Sequence, residues 1–196
     1  MKKGIYKNIT LQQNTYVMGK LKEIIAGIKP IRIIEIGTAR AGLTLLLSDI
    51  LEELQLKDSK IKSFDITMRD HVKSISKDNL EFYLGNIFNF AEGVLLKPEE
   101  ITNFISKEGI NLILCDGGNK VVEFNALAKY LTTGDIIMAH DYAPNKEAFD
   151  KDYVDKIWNW VEITDKDIEQ SVVEYNLVDY KPELIKPTAW VAKIKT

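Results

Sequence analysis

The chain has 196 residues, a mass of 22.3 kDa and a hydrophobic fraction of 45%, which is enough for one domain with a buried core. Lys and Arg number 26 against 29 Asp and Glu, for a net charge of −3, and this excludes a nucleic-acid binder held by phosphate neutralisation. The lone Cys115 excludes an intramolecular disulfide framework and a multi-cysteine zinc site, and no apolar run is long enough to span a membrane.

The basic start Met1-Lys-Lys-Gly lacks the apolar stretch of a secretory signal, so a cytoplasmic protein is expected. Val17, Leu21, Ile24, Ile25 and Ile28 share one helical face, and Pro30 ends that helix. Ile31 to Gly37 reads as a strand ending in a glycine turn, and Leu43, Leu46, Leu47, Ile50 and Leu54 form the next helical stripe. Strands follow at 61–65, 80–84, 110–115 and 136–139, with helices at 98–107 and around Phe124 to Leu131. Solidly apolar strands alternating with helices are what a parallel sheet covered on both faces requires.

The tail departs from that rhythm. Residues 145–173 read as helical, and 177–180 and 189–194 as two strands with no helix between them, hence an antiparallel pair at the sheet edge. The predicted fold class is α/β: a doubly wound, mostly parallel sheet ending in an antiparallel strand pair, with helices on both faces. The single domain divides into an N-terminal helical segment (1–30), a ligand-binding core (31–142) and a helical cover with the closing strand pair (143–196).

In such sheets ligands bind beyond the carboxyl ends of the strands. Those ends read Glu35-Ile-Gly37-Thr38-Ala39-Arg-Ala41-Gly42, Asp65, Gly85-Asn86, Asp116-Gly-Gly-Asn119 and His140-Asp141-Tyr142. The glycine spacing G-x-x-x-x-G misses the central glycine of a dinucleotide fingerprint, its place being taken by Ala39. Glu35 would repel a phosphate and suits a cationic group. Both features disfavour a nicotinamide oxidoreductase and favour a ligand with a sulfonium or ammonium group. Asp65 is suitably placed to accept hydrogen bonds from a ribose diol.

Glu35 to Thr44 resembles motif I of the class I S-adenosylmethionine-dependent methyltransferases, whose folds are Rossmann-like. Leu114-Cys-Asp116-Gly-Gly-Asn and Thr133 to Tyr142 resemble a second block of the small-molecule O-methyltransferases and their cephalosporin-hydroxylase-like relatives. The resemblance covers roughly residues 12–145. It implies a cofactor site for S-adenosyl-L-methionine built from Glu35, Gly37, Thr38, Ala39, Gly42, Asp65, Asn86 and Asp116. Gly37 and Thr38 would line the methionine part, Glu35 and Asp116 its amino group, and Asn86 the adenine. The implied activity is O-methylation of a small hydroxylated metabolite or sugar. It further implies Asp116, His140 and Asp141 as ligands of a divalent metal such as Mg, with His140 and Asp141 as the catalytic pair and His140 available as a general base. Two departures, Ala41 for a glycine and Asn119 for a histidine, leave a non-catalytic binding module as the alternative.

Other residues read as structural. Cys115 is a buried small hydrophobe, His71 an exposed loop residue, and Lys120 a surface lysine opening a helix. Trp158 and Trp160 on one helix would diverge by about 200°, so the two could not face one pocket: one would pack on the core and the other cover a substrate or a homodimer partner. The partners implied are a small-molecule substrate, no nucleic acid and no membrane.

Overall fold

The computed structural model describes residues 3–196. Five runs of apolar residues become the parallel part of a seven-stranded sheet: β3 (Arg32–Ile36), β4 (Lys60–Asp65), β5 (Leu80–Leu84), β8 (Asn111–Cys115) and β9 (Ile136–Ala139). Every residue of β3, β8 and β9 is buried, whereas β5 at the edge is only partly so. That is the gradient a sheet covered on both faces produces. With β10 (Leu177–Asp179) and β11 (Val191–Lys195) added, the strand order is β10-β11-β9-β8-β3-β4-β5. The chain winds outward from β3 to β5 and then returns beside β3 at β8, so the topological switch point lies between β3 and β8.

The expected closing pair is present: β10 (Leu177–Asp179) and β11 (Val191–Lys195) are antiparallel, and β11 is antiparallel to β9. The loop joining them carries α8 (Pro182–Ile185) and a 3-10 turn over Lys186–Thr188.

Helices α1 (Val17–Ile28) and α2 (Gly42–Glu53) pack on one face of the sheet with Leu21, Ile24, Ile25, Leu47 and Leu51 inward. Helices α4 (Pro98–Ile105), α5 (Lys120–Ala128) and α7 (Asp165–Glu174) cover the other through Ile101, Ile105, Phe124, Leu127 and Ile168. One turn of helix, α3 (Asp70–Lys73), carries His71, which is exposed as expected. A two-stranded hairpin, β6 (Phe88–Asn89) with β7 (Val94–Leu95), follows Asn86. At the opposite end of the sheet, buried Arg32 donates to the carbonyls of Glu108 at 3.0 Å and Gly109 at 2.9 Å. That bottom-edge network serves stability, since all its polar groups are satisfied. No helix among the described residues is long and apolar enough to cross a membrane.

Two segments differ from expectation. The N-terminal segment is not wholly helical: β1 (Lys3–Tyr6) and β2 (Ile9–Asn14) form an antiparallel hairpin before α1. Its turn residues Lys7 and Asn8 both have positive φ, 47° and 64°, the conformation of a tight hairpin turn usually signalled by Asn-Gly. Without the glycine the turn is hard to read. The segment 145–173 is likewise only partly helical. Short α6 (Lys146–Ala148) and a π-turn over Phe149–Tyr153 give way to irregular chain until α7. The break coincides with Asp155 at φ 58°, and the helix restarts at a capping box of Thr164 and Asp167.

Candidate functional site

Two cavities meet at the switch point. The first, of about 320 Å³, lies over the ends of β3, β4 and β5 and is lined by Gly37, Ala39, Asp65, Asn86, Phe88, Asp116 and Gly117, among others. The second, of about 480 Å³, lies over β8 and β9 beneath the 154–164 segment. Its walls are Lys3, Gln12, Asp116, Gly117, Lys120, His140, Asp141, Trp158, Asn159 and Trp160. Gln12, Asp116 and Gly117 belong to both. A ligand in one therefore abuts a ligand in the other at Asp116.

The floor of the first cavity is backbone. Gly37, at φ 98°, lets β3 turn against the β8 loop: a Cβ there would stand 2.3 Å from the Asp116 carbonyl oxygen. The turn is held by Gly37 N–H donating to the Phe64 carbonyl at 2.8 Å and by Ala39 N–H donating to Asp65 Oδ2 at 2.7 Å. Asp65 Oδ1 accepts from the Thr67 amide at 2.9 Å, so its carboxylate stands fixed at the rim. Asn86 accepts from the Phe88 amide at 3.0 Å, which orients it beside Phe88. Ala41, where a glycine is usual, takes the left-handed conformation a glycine would take, φ 60°.

Of the expected cofactor residues, Gly37, Ala39, Asp65, Asn86 and Asp116 come together on this cavity, and Glu35, Thr38 and Gly42 lie behind its wall. Glu35 is fully buried and accepts from Thr44 and Ser63, each at 2.5 Å, while its Oε1 has no partner. Burial pushes its carboxyl up to about 8, against the lowering effect of the two hydroxyls. The folded chain therefore holds a proton that the unfolded chain, at 4.5, has lost, so stability falls as pH rises between those values. Glu35→Gln is expected to flatten that fall by about 1 kcal/mol per pH unit. Urea midpoints measured from about pH 5 to pH 8 check this, and parallel curves for variant and wild type refute it.

The second cavity gathers the charged groups. Asp116, His140 and Asp141 each offer a ligand atom, all within 4.8 Å of one another. His140 Nδ1 faces Asp116 Oδ1 and Asp141 Oδ1, both at 3.1 Å. The ring lies between Trp158 and Trp190, with centroids 5.0 and 5.2 Å away, and its Nε2 is buried without a partner. Asp141 does not cap a helix. It sits at φ 57° and its carboxylate accepts from the Trp158 indole N–H at 2.6 Å.

Lys120 is not the surface lysine its position at a helix start predicts. It is buried and ion-paired to Asp141 and Glu162, both at 2.9 Å. Burial alone would lower its pKa, but the charges of Asp141 and Asp116 hold it well above the ordinary lysine range. Asn119 caps α5, accepting from the Val122 amide at 3.1 Å. Buried Glu123 accepts from the amides of Gly117 and Asn119, each at 3.0 Å, and so pins the loop that carries Asp116. Burial raises its carboxyl to about 7 in spite of those donors. Cys115 is buried at the end of β8, as expected.

Trp158 and Trp160 are not on a helix, so no helical angle sets them apart. The irregular chain brings both onto the second cavity, Trp158 buried and Trp160 62% exposed. Besides Lys120, Gln12 and Gln13 are residues that sequence reasoning missed. They arrive on β2, whose short alternation Ile9-Thr-Leu11 was the one available signal.

The family model described as Rhamnosyl O-methyltransferase/CmcI matches residues 2–175. No curated protein matches the chain by sequence. Among solved structures, CmcI with Mg and SAM is similar at a TM-score of 0.61 and 9% identity, over 98% of this chain and 77% of that one. MycE from the mycinamycin biosynthetic pathway, in complex with Mg, SAH and mycinamycin VI, gives 0.51 and 13% over 93% and 49%. A caffeoyl-CoA O-methyltransferase-like protein from Staphylococcus aureus gives 0.52 and 14% over 92% and 83%. The chain spans 66% to 77% of the CmcI chains and about half of MycE. At such identities these likenesses concern the fold, and the family match is what carries membership. Matched over 2–175 on a Rossmann-like sheet, the chain belongs to the rhamnosyl O-methyltransferase/CmcI family of class I S-adenosylmethionine-dependent O-methyltransferases.

Proposed function

We propose that the protein transfers the methyl group of S-adenosyl-L-methionine to a hydroxyl oxygen of a small molecule held in the second cavity. The observation that carries this is the pair of cavities sharing Asp116 and Gly117. Cofactor in one and acceptor in the other would meet where an in-line displacement needs them. In such a displacement the acceptor oxygen attacks the sulfonium methyl, S-adenosylhomocysteine leaves with the electron pair of the broken C–S bond, and the hydroxyl proton must go to a base. The protein's main contribution is alignment.

Asp65 would take the ribose hydroxyls, Asn86 and Phe88 the adenine edge and face, and Gly37 and Ala39 the methionine part. Two tryptophans and an asparagine on the acceptor side suit a hydroxylated ring, such as a sugar, with apolar faces and polar edges.

Asp116, Asp141 and His140 fit a divalent cation: their donor atoms converge, and two carboxylate oxygens with one imidazole make a workable set for a hard to borderline ion. Such an ion, when bound, lowers the pKa of the acceptor hydroxyl and orients it. His140 Nδ1 faces two carboxylate oxygens, which can only accept, so that nitrogen donates to them and the base for the acceptor hydroxyl would be a carboxylate oxygen of Asp116 or Asp141.

The test begins with binding. S-adenosylhomocysteine at about a hundredfold over its Kd should stabilise by about 2.7 kcal/mol, raising Tm by roughly 5–10 °C for a chain of this size, with NAD as the inert control. Labelled methyl transfer to a panel of sugars and phenols, with and without EDTA, then reads the reaction. A Tm that does not move with S-adenosylhomocysteine refutes the cofactor assignment.

A further inference from the structure

Gln13 is wholly buried, yet it belongs to neither the sheet core nor the cofactor motif. Its amide is held at both ends. The Trp190 indole N–H, which can only donate, meets Gln13 Oε1 at 2.9 Å. That fixes which way round the amide lies, so Nε2 must point at Asp116 Oδ2, which it does at 2.5 Å. Flipping the amide would set two donors against each other at Trp190 and two acceptors at Asp116. Both bonds would be lost inside a buried site.

The consequence falls on Asp116. With Oδ2 capped, the carboxylate cannot rotate, and Oδ1 alone is left for His140 Nδ1 at 3.1 Å. Asp141 is restrained in a matching way, its Oδ2 held by Lys120 and its Oδ1 shared by the Trp158 indole and His140. The indole N–H groups beside His140 are thus both spent on fixing carboxylates, one directly and one through Gln13. The donor to Asp116 Oδ2 is neutral where the donor to Asp141 Oδ2 is charged.

We propose that Gln13 is a positioning residue for methyl transfer: it locks Asp116 as a one-oxygen ligand, and the N-terminal hairpin is thereby part of the active site. Backbone geometry supports this second clause. Alternation along a strand would send Gln12 and Gln13 to opposite faces, but the pairing of β1 with β2 slips between Lys3 and Ile5, and Gln12 takes φ 56°. The irregularity lets Gln12 line both cavities while its neighbour reaches Asp116. A left-handed non-glycine residue is tolerated where surrounding contacts enforce it, and such positions cluster at functional sites.

The proposal rests on the reading of the site given under Proposed function, and two variants of the full-length protein separate the two. Gln13→Glu keeps the length and the acceptor for Trp190 but sets an oxygen against Asp116 Oδ2. Gln13→Met keeps the length and removes both bonds. Both should lower kcat by about 10–100-fold, as loss of a partner supporting a ligand does, with S-adenosylhomocysteine affinity unchanged by calorimetry. Titration of Mn²⁺ alone by electron paramagnetic resonance, with no cofactor present, should show binding weakened by about 10–100-fold in Gln13→Met, which frees Asp116 to rotate. A kcat near wild type in both variants, or an unaltered Mn²⁺ affinity in Gln13→Met, overturns the proposal. If wild type binds no S-adenosylhomocysteine and transfers no methyl, the functional reading fails, while the Mn²⁺ titration still reports on the Gln13–Asp116 contact.

Discussion

Gly37→Ala is expected to destabilise the protein by about 3 kcal/mol or more and to abolish measurable S-adenosylhomocysteine binding. Two costs add at this position. The backbone is at φ 98°, outside the region an L side chain adopts, worth roughly 1–2 kcal/mol. The new methyl would also stand 2.3 Å from the Asp116 carbonyl oxygen and 2.9 Å from Gly117 Cα. Those atoms are backbone, so relief requires β3 and β8 to separate at their carboxyl ends, and overpacking of that kind costs about 1–3 kcal/mol. Separation also widens the floor of the 320 Å³ cavity and moves Asp116, which both cavities share. Gly118→Ala supplies the control in the same loop, because a Cβ there meets nothing within 4 Å. It should fall within about 0.5 kcal/mol of wild type. Urea unfolding with an unchanged m-value measures the stability term, and calorimetric titration measures binding. A Gly37→Ala protein within about 1 kcal/mol of wild type would show that the β3–β8 turn is looser than its geometry implies.

The sheet was legible in the sequence because burial on both faces leaves an uninterrupted apolar run, as in Ile110 to Cys115, and each run ended in a polar or glycine residue at the ligand end. Gly37, Ala39, Asp65, Asn86, Asp116, His140 and Asp141 could therefore be placed on one edge from order alone. The residues missed share a different property: their role depends on contacts far apart in the chain. Lys120 reads as solvated because a lysine opening a helix generally is. It is buried here by Glu162, a residue of an irregular segment with no periodicity to read. Gln13 reaches Asp116 and Trp190 across most of the chain, and its strand is short and carries a slipped register. The tryptophans were misplaced for a related reason. An amphipathic composition over 145–173 reads as helix, yet Asp155 adopts a left-handed conformation that ends it.

Lys120→Met is expected to lower stability by about 3 kcal/mol, the low end for removing one partner of a buried ion pair. The side chains of Lys120 and Asp141 are 8% and 9% exposed, so the carboxylate left behind is poorly hydrated. The low end applies because Asp141 keeps the Trp158 indole as a donor and His140 as a neighbour, and Glu162 is partly open to solvent. For a chain of this length the loss corresponds to a fall in Tm of roughly 6–12 °C. The variant should also respond to a divalent cation more strongly than wild type does. In wild type the ammonium occupies Asp141 Oδ2 and pairs with Glu162; without it both carboxylates lose that cation, and Asp116 and Asp141 line the cavity with His140 and Lys3 as its basic residues. Millimolar Mg²⁺ binds the folded variant in place of the lost charge and raises its Tm more than that of wild type, since only the folded state presents the cluster. Glu162→Gln added to Lys120→Met should recover part of the loss, because it removes one of the charges left unpaired. Differential scanning calorimetry on the three proteins, with and without Mg²⁺, decides the matter. Equal Mg²⁺ shifts in wild type and Lys120→Met would mean that the lysine and the metal do not share a site. The ion pair would then belong to the covering segment rather than to the chemistry.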